Sequence, residues 1–330
     1  MKIISKTFKL LTVFLLVIGL TGCDDDDNGS NMQTTTVVDI ALANNLTSLA
    51  AALEATDLVS TLQGDGPFTV FAPSNDAFTA LLTATGLDLD NLSTSEEALV
   101  RNILLNHVII GTSVTATDLV GLGSGYTNTA ATGPNNENLS LYFDTTNGVV
   151  LNGASTVTSA DNFATNGVVH IVDTVIDLPT IATFATTNPA LSLLVDALAY
   201  ADTGSPTVPF IATVSDASAG PFTVFAPTNT AFANVLAELE LSGFGEGEGE
   251  LNAATTDAVL LSHIVSGNIQ SSGLPNGPVM TLGAELTADN VNFTLTDPND
   301  RVSNIVTTLV NIQGINGVVH VIDTVILPAL

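Results

Sequence analysis

The feature that most constrains the fold is an internal repeat. Residues 66–78 read G-P-F-T-V-F-A-P-S-N-D-A-F, and residues 220–232 read G-P-F-T-V-F-A-P-T-N-T-A-F. A second pair reads N-G-V-V-H-I-V-D-T-V-I at residues 166–176 and N-G-V-V-H-V-I-D-T-V-I at residues 316–326. The copies are offset by 154 residues at the first motif and by 150 at the second, which is the length of an ordinary domain and far longer than a solenoid repeat. The chain is therefore predicted to contain two tandem copies of one domain.

The first motif predicts a strand that runs into a helix. A Gly-Pro break precedes an apolar, β-favouring run at residues 68–72, and a proline and polar capping residues follow it. Ser74 or Asn75 is expected to cap the helix. Apolar residues at helical spacing also predict a pair of helices within residues 36–58 and a helix at about residues 95–105.

Beyond this helical part, short alternating runs and turn dipeptides predict strands. The runs lie at residues 139–143, 149–151 and 168–176, and the turns at Asn147-Gly148, Asn152-Gly153 and Asn166-Gly167. Asn-Gly between apolar runs is the strongest short-range signal for a hairpin. We therefore expect an α+β domain, with a mostly antiparallel sheet folded onto itself and helices packed at one side.

The two repeated motifs together identify a family resemblance. T-V-F-A-P-[S/T]-N-x-A-F followed by N-G-V-V-H-[I/V]-[I/V]-D-T-V-I resembles the first and second signature motifs of the fasciclin domain. The resemblance implies an α+β fold of two tandem fasciclin-like domains, at residues 35–179 and 180–330. Each is then a wedge-shaped, mostly antiparallel β-sandwich with several packed helices.

The family also carries a Tyr-His pair at the end of a helix between the two motifs. Asn106-His107 and Ser262-His263 stand at these places, so the histidine matches and the tyrosine does not. The resemblance implies extracellular adhesion through contacts with proteins, glycans or matrix. Integrin contacts, which are attributed partly to the Tyr-His region, are not supported, because the tyrosine is replaced and the chain has no Arg-Gly-Asp sequence.

The N-terminus has the features of an export signal. Residues 1–22 contain three lysines and an apolar run too short to span a bilayer. The sequence L-T-G-C that ends at Cys23 resembles the lipobox of bacterial lipoproteins, which implies that Cys23 is acylated and anchors the chain to a membrane. Residues 23–34 begin with four aspartates after this cysteine and are expected to form an acidic tether.

Acidic residues directly after a lipidated cysteine also resemble, in some Gram-negative bacteria, a signal for transfer to the outer face of the outer membrane. A tether and an export signal remain equal alternatives, since the same residues can serve both. The expected location is the cell envelope, in the outer membrane, with exposure at the cell surface.

The charge of the mature chain excludes several classes of partner. From residue 24 onward, 33 acidic residues face only Arg101 and Arg301, a net charge of −31. Such a surface repels nucleic acids and anionic lipids. Positive partners or divalent cations are favoured, although the charge also simply keeps a secreted protein soluble. Residues 243–250, G-F-G-E-G-E-G-E, are expected to be a mobile acidic loop, with a weak Ca²⁺ loop as the alternative.

No sequence feature points to catalysis, a cofactor or a metal site. The chain lacks a Gly-x-Ser-x-Gly elbow, has no lysine after Lys9, and has Cys23 as its only cysteine. The histidines form two repeated pairs, His107 with His263 and His170 with His320. The second pair is expected in half-buried strands, bonded to a neighbour, and the first to bond backbone or the corner at Asn75 or Asn229.

These observations predict a lipid-anchored interaction module of the cell envelope that binds proteins, glycans or matrix without catalysis. The alternative is a structural spacer, periplasmic or at the surface, without a specific ligand. Exposed apolar patches favour the module, and a uniformly polar surface favours the spacer.

Overall fold

The computed structural model describes residues 35–329, which form one compact unit. The predicted signal peptide, Cys23 and the acidic tether lie outside the described residues. We refer to residues 35–179 as domain 1 and to residues 180–330 as domain 2.

Domain 1 begins with helices and continues into a sheet. In chain order its elements are α1 (Val37–Ala43), α2 (Thr47–Ala55), α3 (Val59–Leu62), β1 (Phe68–Pro73), α4 (Asn75–Thr85), α5 (Thr94–Leu105), β2 (Val108–Ile110), α6 (Ala116–Leu122), β3 (Ser124–Thr132), a 3₁₀ turn (Pro134–Asn136), β4 (Asn138–Asp144), β5 (Val150–Leu151), β6 (Ser155–Ala164) and β7 (Gly167–Val172).

The two sequence motifs of domain 1 meet in the middle of its sheet. The strand order is β2-β1-β7-β6-β5-β4-β3, in which β1 and β7 are parallel and the other neighbours antiparallel. Phe71 of the first motif lies opposite His170 of the second. Phe71 also shares a buried cluster with Leu141 of β4, although three strands separate β1 from β4. The sheet therefore folds back on itself, and α1, α2 and α5 pack on the first half.

Domain 2 repeats this plan with some changes. Its elements are α7 (Ile181–Thr187), a 3₁₀ turn (Pro189–Leu191), α8 (Ser192–Ala201), α9 (Phe210–Ser215), β8 (Phe222–Pro227), α10 (Asn229–Glu238), β9 (Gly243–Phe244), β10 (Glu250–Leu251), α11 (Ala253–Leu261), β11 (Ile264–Ser266), a 3₁₀ turn (Ser271–Gly273), β12 (Gly277–Met280), β13 (Glu285–Asp289), β14 (Thr294–Thr296), β15 (Val302–Asn304), β16 (Ile312–Gly314) and β17 (Gly317–Ile322).

The strands of domain 2 divide into separate sheets. One has the order β11-β8-β17-β16, another the order β12-β13-β14-β15, and β9 pairs with β10. As in domain 1, the two motif strands β8 and β17 are parallel, with Phe225 opposite His320. A single bridge between Ile305 and Ile322 links the two larger sheets. The expected architecture of helices and mostly antiparallel sheets in two tandem domains is confirmed.

Of the two residues predicted to cap α4, Ser74 is the cap, because its side chain accepts a hydrogen bond from the amide of Ala77. Two other local predictions need correction. The turn before β7 consists of residues 165–166, since Gly167 already pairs with Ala164. The strand predicted at residues 168–176 ends at Val172.

Strands β3 and β6 were not predicted from the sequence. Both consist largely of polar and small residues, S-G-Y-T-N-T-A-A-T and S-T-V-T-S-A-D-N-F-A, and both are interrupted by register shifts. Such strands lack the alternation of apolar and polar residues by which a half-buried strand is recognised.

Within residues 35–329, no single helix has the length and apolar character needed to cross a membrane. The segments Ile181–Thr187 and Pro189–Ala201 reach that length only together, across a bend of 99°.

Candidate functional site

The histidines of the second motif are fully buried, not half-buried as predicted. His170 and His320 are 1% and 0% exposed. In each ring Nε2 donates to a backbone carbonyl, that of Val114 or Ile269, at 2.9 Å. The Nδ1 atoms accept from the amides of residues 161 and 311 at 3.2 Å. The predicted hydrogen bonding to neighbours is thus present, and it ties the loop after β2 or β11 to the central strand.

His107 and His263, which follow the helices α5 and α11, also link separate segments of the backbone. His107 donates from Nδ1 to the carbonyl of Ile103 at 2.7 Å and accepts at Nε2 from the amide of Ile176 at 2.8 Å. His263 makes the same two bonds, to Val259 and from Ile326. Their partners are therefore backbone groups and not the Asn75 or Asn229 corners, the other alternative. Each ring joins the end of a helix to the last residue of the second motif.

Burial keeps all four rings neutral. It lowers the pKa of His107 and of His263 to about 4, because a charged imidazolium loses its hydration in the interior. Burial also lowers the pKa of His170 and of His320. Because both nitrogens of each ring already bond protein groups, these histidines cannot act as acid–base catalysts without breaking the fold.

The two positions where the family has a tyrosine are also internal. Asn106 is 0% exposed, and its amide donates to the carbonyls of Ile176 and Asp177, while its oxygen accepts from the hydroxyl of Thr129. Ser262 is 0% exposed, and its hydroxyl donates one turn back, to the carbonyl of Ala258 at 2.9 Å. In this chain neither position presents a side chain to a partner.

Asn75 and Asn229 fasten the first motif to the preceding helices. Asn75 accepts from the amide of Ser48 at 3.0 Å and donates to the carbonyl of Asn45 at 2.9 Å. Asn229 accepts from the amide of Leu193 and donates to the carbonyl of Pro189, both at 2.9 Å. These asparagines thus position one helix start against another.

A further matched pair was missed in the sequence. Asn166 and Asn316 start the second motif, and each accepts from the first amide of α1 or α7 at 2.9 Å. Each also donates to two carbonyls at the end of a short earlier helix, those of Leu62 and Gly64 near the end of α3 and those of Val214 and Asp216 near the end of α9. Their identity in both copies was a usable signal, which the expectation of an Asn-Gly turn obscured.

Residues 243–250 form an ordered addition to domain 2. Phe244 packs on Phe232 and Tyr200, with ring centroids 5.9 and 6.3 Å away. Glu246 accepts from the hydroxyl of Tyr200 at 2.7 Å, and this bond raises the pKa of Tyr200 to about 12. The segment, which was expected to be a mobile acidic loop, contains two short paired strands, β9 and β10. Among residues 35–329, no cluster of His, Cys, Asp or Glu is suited to hold a metal ion.

The two domains are joined by an aromatic contact. The ring of Tyr126 in β3 lies 5.0 Å from Tyr142 in β4 and 5.8 Å from Phe184 in α7. The hydroxyl of Tyr126 accepts from Asn188 of domain 2 at 3.1 Å. Tyr142 belongs to the core of domain 2 although its strand belongs to domain 1. We call Tyr126, Ser140 and Tyr142 the joining face.

On the domain 2 side, this contact includes Gln313 of β16. The backbone amide of Gln313 donates to the hydroxyl of Ser140 at 3.0 Å. The side chain of Gln313 is buried and bonds Asn268 and Gln270 of its own domain, and Asn135 of domain 1 donates to the carbonyl of Asn268. We call Phe184, Asn188 and Gln313 the joining edge.

Comparison with known proteins gives the family. The model of the fasciclin domain matches residues 44–179 and 192–328. Protein sll1483 of Synechocystis sp. is 39% identical over 142 residues, covering 43% of this chain and 72% of that protein. Transforming growth factor-beta-induced protein ig-h3 of Sus scrofa is 34% identical over 145 residues, 44% of this chain and 19% of that protein.

Two other matches extend over both domains. Human periostin is 28% identical over 294 residues, 83% of this chain and 30% of periostin. A FAS1 domain pair from the insect cell adhesion molecule fasciclin I has 17% identity and a TM-score of 0.46, with 88% of this chain and 95% of that chain covered. Since the family model matches both halves of the chain, the protein belongs to the fasciclin-domain family.

Proposed function

We propose that this protein is a lipid-anchored interaction module of the cell envelope, which binds proteins, glycans or matrix without catalysis. The observation that carries the proposal is the match of fasciclin domains, which occur in cell-adhesion proteins, to both halves of the chain. Lipid on Cys23 would hold the module at the outer membrane, with residues 23–34 as its acidic spacer.

The interior of the domains supports binding over catalysis. The histidines are neutral and fully engaged within the fold, and Asn106 and Ser262 are buried. A partner is therefore recognised by the outer surface. The surface is not uniformly polar, because apolar side chains such as Leu122, Phe163 and Val291 are each at least 60% exposed; this favours an interaction module over a purely polar spacer.

The proposal is tested in the native host with two strains. One produces the natural chain, and the other exports residues 24–330 behind a signal peptide that lacks a lipobox. We expect the natural chain in the membrane fraction, with its domains cleaved by protease added to intact cells. The control chain should leave the membrane, and its cells should attach less well to other cells, glycans or matrix.

Two outcomes contradict parts of the proposal. Protection of the domains until the outer envelope is opened would place them in the periplasm and favour the spacer. Equal attachment by the two strains, at equal amounts of protein, would argue against adhesion even if the lipid anchor is present.

A further inference from the structure

Among residues 35–329, nothing covers the side of domain 1 that corresponds to the joining edge. The first amide of α1 and that of α7 bond Asn166 and Asn316 in the same way, so the two helices are equivalent. Phe163 and Gln313 stand at equivalent positions, three residues before the second motif of their domain. Phe163 pairs with Val168 in β7, and Gln313 pairs with Val318 in β17. Phe163 is 65% exposed, whereas Gln313 is buried against domain 1.

Other residues of the joining edge have counterparts in domain 1 as well. Ile40 of α1 stands where Phe184 stands in α7, and Asn44 stands where Asn188 does, because Asn44 and Asn188 cap equivalent helices. Asn188 bonds the hydroxyl of Tyr126, while the Asn44 side chain is exposed and bonds only its own helix. The free edge of domain 1 therefore consists of the exposed residues Asn44 and Phe163 and of half-buried Ile40, which also packs against the core of domain 1.

In the part of the chain that the structure describes, domain 2 also carries an uncovered counterpart of the joining face. Pro278 corresponds to Tyr126, and Thr287 corresponds to Tyr142. The correspondence is found by following the paired residues across each sheet from an equivalent serine, Ser155 in domain 1 and Ser303 in domain 2. These two serines make the same bond, to the carbonyls of Thr174 and Thr324.

This free face of domain 2 is partly apolar. Pro278 and Thr287 are exposed. Val302 lies in the same cross-strand row and is 49% exposed, and Met280 at the end of β12 is 64% exposed. The face therefore consists of Pro278, Met280, Thr287 and Val302.

We propose that the free face of domain 2 binds the free edge of domain 1 in a second copy of this chain, so that copies associate head to tail. The chain already makes this type of contact once, between its own domains, and the two unused halves lie on the same molecule. Different surfaces meet in such a contact, so each added copy leaves one free end, and the assembly grows unless it closes into a ring.

Charge controls the strength of this association. Each copy without its first 23 residues has a net charge of −31, and Glu285 lies opposite Met280 in the free face. Copies therefore repel one another at low salt. From about 0.1 M to about 1 M salt the Debye length falls from about 10 Å to about 3 Å, so association strengthens as salt is added.

The experiment is sedimentation velocity on purified residues 24–330 at rising protein concentration, in low and high salt. We expect the average mass to rise above that of one chain, more strongly in high salt. Phe163→Glu blocks the free edge and Thr287→Glu blocks the free face, so each variant alone stays monomeric. An equimolar mixture of the two forms dimers and nothing larger, since each variant retains one working half. Ile110→Glu, at an apolar residue 60% exposed outside both surfaces, serves as the matched control and associates as the natural chain does.

Other results overturn the inference. A natural chain that stays monomeric at all concentrations and salts excludes the contact. If Thr287→Glu associates normally while Phe163→Glu does not, Phe163 pairs with itself or with another surface. This self-association goes beyond the proposed function, and because it is measured on purified protein, its failure would leave the adhesion assay on cells unaffected.

Discussion

Mild acid is expected to destabilise this protein through its buried histidines. In the folded chain His107 and His263 have pKa values of about 4, whereas an unfolded histidine has a pKa of about 6.5. As the pH falls, the unfolded state binds these protons first, so folding becomes less favourable. The loss begins near the unfolded pKa and levels off only below the folded pKa. At pH 5 it amounts to about 2 kcal/mol for each histidine relative to pH 7.5.

Between pH 7.5 and pH 5, His107 and His263 together lower the free energy of unfolding by about 4 kcal/mol. This is a large share of the roughly 5–15 kcal/mol by which a typical protein is stable. His170 and His320, whose pKa values burial also lowers, add to the loss in the same direction. Carboxylates contribute little in this window, since their ordinary pKa values of about 3.9 and 4.3 lie below it.

The assay is urea unfolding of residues 24–330, followed by circular dichroism at constant ionic strength between pH 7.5 and pH 5. The double variant His107→Gln with His263→Gln is expected to be less stable at pH 7.5 but to lose about 4 kcal/mol less on acidification. Imidazole titration by nuclear magnetic resonance on the natural chain provides a measurement that does not depend on the variant folding. Constant stability down to pH 5, or a ring of His107 that titrates near 6.5, would refute the reasoning.

Two further predictions compare matched substitutions. Asn106→Ala should cost about 2–3 kcal/mol of stability, because the carbonyls of Ile176 and Asp177 lose the donor that bonds them. Ser262→Ala at the equivalent position should cost about 1 kcal/mol or less. Equal losses in urea unfolding would contradict the different bonding of the two sites. Tyr126→Phe should lose about 1 kcal/mol with the hydrogen bond from Asn188, and Tyr126→Ala about 3 kcal/mol with the ring between the domains. If Tyr126→Ala were as stable as Tyr126→Phe in calorimetry, the aromatic contact would not hold the domains together.

The sequence predicted the parts of the fold that local pattern determines. The capped helices and the apolar motif strands follow from hydrophobic spacing and from residues such as Ser74, which bonds the start of α4. The structural role of the histidines was predicted from their places in the sequence, because His170 and His320 lie within apolar strands and His107 and His263 follow apolar helices. Full burial of His170 did not follow, because alternation along β7 predicts one exposed face, and the loop after β2 covers it.

Long-range contacts account for what local pattern could not predict. The parallel pairing of Phe71 with His170 joins segments about a hundred residues apart, and no local signal specifies such a partner. The weak strands β3 and β6 form because stronger neighbours offer them hydrogen bonds. The contact between domains depends on Tyr126 and Gln313, which lie outside both motifs.

The two domains also serve as a comparison within one chain. Where the copies agree, as at Asn166 and Asn316, the side chain is bonded into the fold and its role is structural. Phe163 and Gln313 are equivalent positions that differ, and Phe163 is exposed while Gln313 is buried. The surroundings of the two domains differ at this position, so the difference between the residues reflects what each domain contacts and not how it folds. Residues that recognise a partner should therefore be sought at surface positions where the two domains carry different side chains. Substitution at Phe163 should change association while leaving the pH-dependent stability set by the buried histidines unchanged, and a variant that altered both would show that contact and folding are not separable here.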